Sequence, residues 1–300
     1  MGDQQGSYYV PEQSKLPLFM ALAMFLTVFG FGSLMNGSDG GMSVSIIGFA
    51  MLAATMWVWF STVIKENMAG LNNDQLKRSY VWGMGWFIFS EVMFFSAFFG
   101  ALLYVRQVAL PYLASEPNHL LWPGFTGEWP IMETPDQAAN GEVAAVKGPG
   151  ENMSYPGLKG LFGWLPFWNT TVLLISSFTV HIAHMGLNKN NKKQFNIWLG
   201  ITVALGIIFL FLQAEEYIHA YHVGLTLDSG IYGTTFFLLT GFHGLHVTMG
   251  TFMLAVMLFR SVFKGHFKHG DAFGFESASW YWHFVDVVWL GLFIFVYILG

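Results

Sequence analysis

The chain has 300 residues, of which 54% are hydrophobic, 18% aromatic and only 10% charged. Soluble domains carry about a quarter charged residues, so water is not the main solvent, and disorder over most of the length, which needs polar and charged sequence, is excluded as well. Net charge is −5, from 13 Lys plus Arg against 18 Asp plus Glu, with no basic arm suited to nucleic acid, and the absence of cysteine removes disulfides, thiolate metal sites and thiol nucleophiles.

The opening segment, MGDQQGSYYVPEQSK, has no arginine and no apolar core ahead of a small-residue cleavage site, so it reads as neither a signal nor a transit peptide. Gly6 stands where a myristoylation signal needs Ser or Thr. A helix satisfies its backbone groups internally and needs about 20 apolar residues to cross a bilayer. Seven stretches meet that need: 16–35, 44–64, 82–105, 164–187, 195–218, 232–259 and 280–299. The fold class is therefore an all-α integral membrane protein. The first two spans carry no charge and every ionisable group placed within the hydrocarbon falls in the other five, which predicts a two-helix and a five-helix packing unit within one membrane domain. No internal repeat of the kind found in transporter halves or solenoids is visible.

Lys15, Lys65, Lys77, Arg78, Lys189, Lys192, Lys193, Arg260, Lys264 and Lys268 fall between spans on one side, whereas Arg106, Lys147 and Lys159 share one loop on the other. The positive-inside rule then predicts a cytoplasmic N-terminus and an outer C-terminus. Trp57, Trp59, Trp82, Trp164, Trp198 and Trp280 lie at or near span ends and read as interfacial anchors. The one long connection, 106–163, begins with Pro111, Trp122, Pro123, Trp129 and Pro130, which can pack on the membrane surface. Its 133–152 stretch is poor in large apolar groups, which favours mobility, and its acidity serves solubility.

Within the third span, Glu91 in FIFSEVMFF lies about 13 Å along the helix, and Phe87, Phe94 and Phe95 share its face at spacings of three or four. A carboxyl there needs a partner or a proton, as a neutral helix tether or as a group that handles protons. His181/His184, His219/His222, His243/His246 and His266/His269 each recur at i, i+3. A bis-histidine haem needs ligands at one depth on different helices. His246 and His184 lie about 21 Å and 30 Å from the outer ends of their spans, so hydrogen-bonded structural histidine is the expectation and a metal site is not. Gly241 and Gly244, flanking His243, predict close approach of a neighbouring helix. His283 and Asp286 are predicted to pair near the cytoplasmic interface.

The segments FSEVMFFSAFF, FLQAEEY, IYGTTFFLLTGFHGLHVTMGTF and FGFESASWYWHFVDVVWL strongly resemble subunit III of haem–copper cytochrome c oxidases, over the third span and nearly everything from Phe167 onward. The resemblance implies a subunit that binds no haem or copper itself. Those groups are implied for the partner chains, catalytic subunit I and copper-bearing subunit II. It also implies two bundles with a cleft holding structural phospholipid, and support for proton uptake, working life and oxygen access. Carried over residue by residue, the family's buried glutamate falls on Glu91, its GFHGLHV histidines on His243 and His246, and its WHFVD pair on His283 and Asp286. AEEY places Glu216 and Tyr217 near the outer end of the fifth span.

Around the second span the pattern departs: Ser61, Thr62 and then LNNDQLKRSY stand where relatives often carry an Arg-Asp pair and a His-Thr segment. Trp59, Lys65, Arg78 and Arg260 are the candidate lipid contacts, and the outer loop exceeds the family's usual length. The implied location is a bacterial inner membrane, with the mitochondrial inner membrane as the alternative. A quinol-oxidising relative commonly has five spans, against seven here. A retinal protein would need a lysine that 280–299 lacks, and a transporter using Glu91 and Asp286 would show broken helices.

Overall fold

The computed structural model describes residues 13–131, 133–140, 155–267 and 272–299. Lys147, Lys268, His269 and most of the acidic loop stretch lie outside the described residues. Among those described, seven helices are long and apolar enough to cross a membrane: α1 Leu16–Met35, α2 Gly41–Met68, α3 Asp74–Tyr104, α4 Leu165–Asn188, α5 Lys192–Val223, α6 Gly230–Lys264 and α7 Phe273–Leu292. α3 continues through a π turn, Val105–Ala109, into a last helical turn, Leu110–Leu113, and α7 ends in a π turn, Phe293–Ile298. No strand occurs among the described residues.

Several helices outrun the apolar windows read from sequence, because hydropathy marks the hydrocarbon-compatible part while capping sets where a helix starts and stops. α3 begins eight residues earlier than predicted, where Asn73 Oδ1 accepts from the Leu76 N–H at 2.8 Å. Asn191 does the same for α5, accepting from Gln194 N–H at 3.1 Å. At the other end, α5 and α6 stop at Gly224 (φ 89°) and Gly265 (φ 61°), left-handed positions that a side chain would strain. α7 starts at Phe273 instead of near 280, which moves Asp286 from the predicted inner end to the middle of its helix.

The chain divides into two compact units, the first ending at Gly83 and the second starting at Met84. In the first, the buried residues of α1 are Ala23 and Gly30, and those of α2 are Gly41, Gly48 and Thr55. Both sets recur every seven residues and are small, the spacing that keeps one face of a helix against its neighbour. A Cβ on Gly48 would run into the backbone and hydroxyl of Thr27, and one on Gly30 into Ser45. Large apolar side chains such as Leu18, Phe25, Ile47 and Trp57 face outward, since the driving force here is backbone contact. Gly48→Leu is accordingly expected to separate the pair. Overpacking costs about 1–3 kcal/mol in a core that can relax, and two helical backbones cannot, so the effect should reach or exceed that range. Thermal stability of the purified complex measures it, with Ile47→Leu as the outward-facing control that should change little.

In the second unit, α7 is the most buried element, and its indoles bond to α4. Trp282 Nε1 donates to Ser176 Oγ at 3.0 Å, and Trp289 Nε1 donates to Thr170 Oγ1 at 3.0 Å. Thr179 and Thr202 hydroxyls, 2.8 Å apart, join α4 to α5. Lipid tails are as apolar as the helices, so shape and such polar contacts hold the helices together. Of the two glycines predicted to mark a close approach, Gly241 has the Tyr217 hydroxyl of α5 3.4 Å from where its Cβ would stand, an ordinary contact, and the tightest approaches lie elsewhere. A Cβ at Gly244 would meet nothing within 4 Å, whereas one at Gly250 would strike the Trp282 ring at 2.8 Å and one at Gly206 would strike Thr251 and Trp282.

The described parts of the long connection carry structure of their own. Trp129 packs on Tyr232 at 5.5 Å, with the Arg106 guanidinium 5.2 Å above its ring. Within the part predicted to be mobile, Pro135–Asn140 forms a helix. A reciprocal cap opens it: Thr134 N–H donates to Gln137 Oε1 (2.9 Å) and Gln137 N–H to Thr134 Oγ1 (3.2 Å). Trp57 and Trp82 are exposed as interfacial anchors would be, but Trp164 is buried against Tyr155, Phe293 and Tyr297.

Candidate functional site

Glu91, nearly midway along α3, meets α6. Its Oε2 lies 2.8 Å from His246 Nε2, and the two side chains keep 22% and 11% of their surface exposed within this chain. His246 is oriented by its own helix, since Nδ1 stands 2.6 Å from the Phe242 carbonyl, which can only accept. Nδ1 therefore carries a proton. One further proton must lie between Nε2 and the carboxyl to make the 2.8 Å contact a hydrogen bond, whether as imidazole with carboxylic acid or imidazolium with carboxylate.

Aromatic rings enclose the imidazole. Phe95 stands edge-on at 5.0 Å, while Phe94 at 6.1 Å and Tyr281 at 6.2 Å lie nearly parallel to it, and Phe284 closes the side at 6.4 Å. Phe87 is the exception among the three phenylalanines expected around the carboxyl: it is exposed and reaches only the Tyr281 ring, 6.0 Å away. The carboxyl is consequently less enclosed than the FIFSEVMFF run suggests.

His243 shares a helix face with His246 but serves a different neighbour. Fully buried, it directs Nε2 to the Val285 carbonyl at 3.2 Å and packs on Trp289 (4.9 Å) and Phe209 (5.7 Å). Its N–H donates to that carbonyl, and Nδ1 has no hydrogen-bond partner among the described residues. The third carried-over pair is loose: His283 Nδ1 lies 3.5 Å from Asp286 Oδ2, beyond a good hydrogen bond, and 2.9 Å from Ser177 Oγ. Asp286 is buried with both carboxyl oxygens lacking a hydrogen bond among the described residues.

At the other end of α5, Glu216 is buried and accepts from Gln213 Nε2 at 3.1 Å. Tyr217 donates its hydroxyl proton to Thr240 Oγ1 at 2.7 Å, because the threonine proton already goes to the Phe236 carbonyl. Glu216 and Tyr217 thus belong to separate contacts, one along α5 and one to α6. Among the candidate lipid contacts, Lys65 and Arg78 are exposed and Trp59 is half-buried, all in the first unit. Arg260 is buried instead, with Nε 3.3 Å from His266 Nδ1 and its guanidinium 4.8 Å over the Phe267 ring, a placement suited to tying the end of α6. His184 approaches Glu276 at 3.6 Å, and among the described residues no three His, Cys, Asp or Glu gather as metal ligands do. The partner of the 266/269 pair, His269, is outside the described residues.

Sequence reasoning missed Ser177 as the ring partner of His283, Tyr281 and Phe284 around His246, and the tie made by Arg106, which donates to the carbonyls of Phe295 (3.4 Å) and Leu299 (2.5 Å). A basic residue following a span, opposite the end of another, was the available signal for the last of these.

Seven spanning helices with a carboxyl–imidazole pair set among aromatic rings define a multi-pass membrane protein that carries buried protonatable groups. The family described as cytochrome c oxidase subunit III matches residues 6–113 and 150–300, leaving out part of the long loop. A protein of Prototheca wickerhamii named cytochrome c oxidase subunit 3 is 37% identical over 295 residues, covering 98% of this chain and 97% of that protein. Proteins of the same name from Osphranter robustus and Canis lupus are each 36% identical over 298 residues, covering 99% of this chain and 98% of theirs. The chain belongs to the cytochrome c oxidase subunit III family, and is thereby a membrane component of that respiratory oxidase.

Proposed function

We propose that the chain is a cofactor-free core subunit of a proton-pumping haem–copper oxidase that accepts electrons from cytochrome c. Haem and copper then reside in subunits I and II, and this chain stabilises the catalytic subunit, holds structural phospholipid, supports proton uptake and eases oxygen access. The Glu91–His246 contact carries the proton part of this reading. A pair that must share a proton across 2.8 Å, with one carboxyl edge still accessible, can take up and release that proton without rebuilding its surroundings.

Glu91→Gln keeps the size and a donor for Nε2, so assembly should persist while proton uptake during turnover slows several-fold. Proton uptake in the intact oxidase, followed with a pH-sensitive dye, measures this. Unchanged uptake with full assembly would leave the pair as a helix tether only.

The reading further places the chain in a bacterial inner membrane with a cytoplasmic N-terminus and a periplasmic C-terminus. Since the sequence contains no cysteine, single cysteines report without background. Those at Ser38, Gln137 and Asp228 are expected to react with an impermeant maleimide from outside, and those at Ser14, Gln75 and Lys189 are not. The opposite pattern would invert the topology.

A further inference from the structure

A cavity of about 270 Å3 lies in the second unit, apart from the Glu91–His246 pair. Val105 and Leu110 at the end of α3, Ile131, Glu133 and Thr134 of the long connection, and Ile231 at the start of α6 are on its wall, which is almost wholly apolar. Folded interiors hold few voids larger than a water molecule. An engineered apolar cavity of ~150 Å3 stays dry and takes benzene, so a partly open one nearly twice that size takes a chain of about ten carbons. Its level in the bilayer decides which chain. Val105 ends the third span read from hydropathy and Ile231 directly precedes the sixth, so the cavity stands at the edge of the hydrocarbon on the side of the long connection, where acyl chains meet their headgroups.

Glu133 is the sole ionisable residue on that wall among those described. It is half-buried and has no hydrogen bond or ion pair among the described residues. Its neighbours do not neutralise it: the Thr134 N–H is committed to Gln137, and Arg106, next in the chain to Val105, is turned to the carbonyls of Phe295 and Leu299. A partly buried carboxylate without a counter-ion favours a cationic group beside it. We propose that the cavity binds an acyl chain of an amine-bearing phospholipid, with the ammonium of its headgroup beside Glu133. Ile131, Glu133 and Thr134 fall in the stretch 114–149 that the family match leaves out, so the site belongs to this chain's own loop and not to a surface shared across the family. The proposal adds one defined position to the lipid-holding reading above, and loss of this lipid with the others retained would leave that reading standing.

The test uses the intact oxidase reconstituted in phosphatidylcholine vesicles that contain a trace of phosphatidylethanolamine with a photoreactive diazirine in one acyl chain, or the phosphatidylcholine analogue with the same chain. After irradiation, mass spectrometry of peptides locates the cross-links. The native chain is expected to be labelled within 105–113 or 131–135, and more by the ethanolamine lipid by about two- to fivefold, the size of a partly exposed ion pair. Ala109 also lines the cavity, and Ala109→Phe, which places a ring in it, is expected to lose the label there while keeping label elsewhere on the chain. Glu133→Gln is expected to keep the label and lose the headgroup preference. Absence of label at these segments in the native chain overturns the proposal, as does label that Ala109→Phe leaves unchanged or a map of the complex in which a side chain of a partner subunit fills the cavity. Equal labelling of the native chain by both lipids overturns the role of Glu133. Should Ala109→Phe fail to assemble, Glu133→Gln decides, and a preference that survives it overturns the proposal.

Discussion

Trp282→Ala is expected to destabilise the second unit by about 3–5 kcal/mol, the range for removing a large aromatic from a core that cannot close over the gap. Trp282 is fully buried. Its ring lies in a slot opened by the missing side chains of Gly206 on α5 and Gly250 on α6, and its N–H reaches Ser176 on α4. One residue of α7 therefore touches three other helices. Truncation loses the ring's contacts with all three and leaves a void between backbones that are already held apart by their own geometry. Trp282→Phe separates the terms: most of the ring volume stays, and the hydrogen bond alone goes. Bonds between helices in membranes contribute about 0.6 kcal/mol on average, so the phenylalanine variant should be close to native. Trp57→Ala, at a position 74% exposed in the first unit, should also be near neutral. The midpoint of thermal unfolding of this chain within the purified complex compares the three. Equal midpoints for Trp282→Ala and Trp57→Ala would remove the central role of the slot.

How far such features can be read without a structure depends on the physics behind each. Seven spans were legible because a backbone in hydrocarbon must be covered by a continuous apolar helix, and that requirement is written locally. The ends were less so, since the caps at Asn73 and Asn191 lie in polar sequence that a hydropathy window discards. The spacing of Ala23 and Gly30 against Gly41, Gly48 and Thr55 is visible in the sequence as a seven-residue recurrence of small residues. The glycines around His243 give a similar local signal, yet Gly244 faces open space, so small residues alone do not tell which face meets a neighbour. For Glu91, the need for a partner was a local inference from burial. The identity of that partner was not, because His246 is 155 positions away and nothing but the packing of α3 on α6 brings it near. The same holds for Ser177 and His283. Small hydroxyl residues are common in membrane helices, and only the crossing of α4 and α7 makes that one a partner.

Removing this chain from the assembled oxidase is expected to leave the first turnovers nearly intact and to shorten working life severely. Haem and copper are proposed to lie in the partner subunits, so electron transfer should begin at close to its normal rate. What the chain contributes under the proposed reading is a rigid helical neighbour, lipid-facing surface and protonatable groups, with Glu91 and His246 able to pass one proton between them. Those influence how quickly a working centre is resupplied with protons and how long it keeps its structure. Slower proton uptake should therefore come first, most visibly at high pH where protons are scarce, and loss of activity should follow over successive turnovers. Oxygen consumption against time, for complexes with and without the chain and at two pH values, measures both stages, with haem and copper content determined before turnover. Unchanged endurance would eliminate the protective role. Immediate loss of electron transfer together with a missing metal would instead mean that the chain itself holds a cofactor.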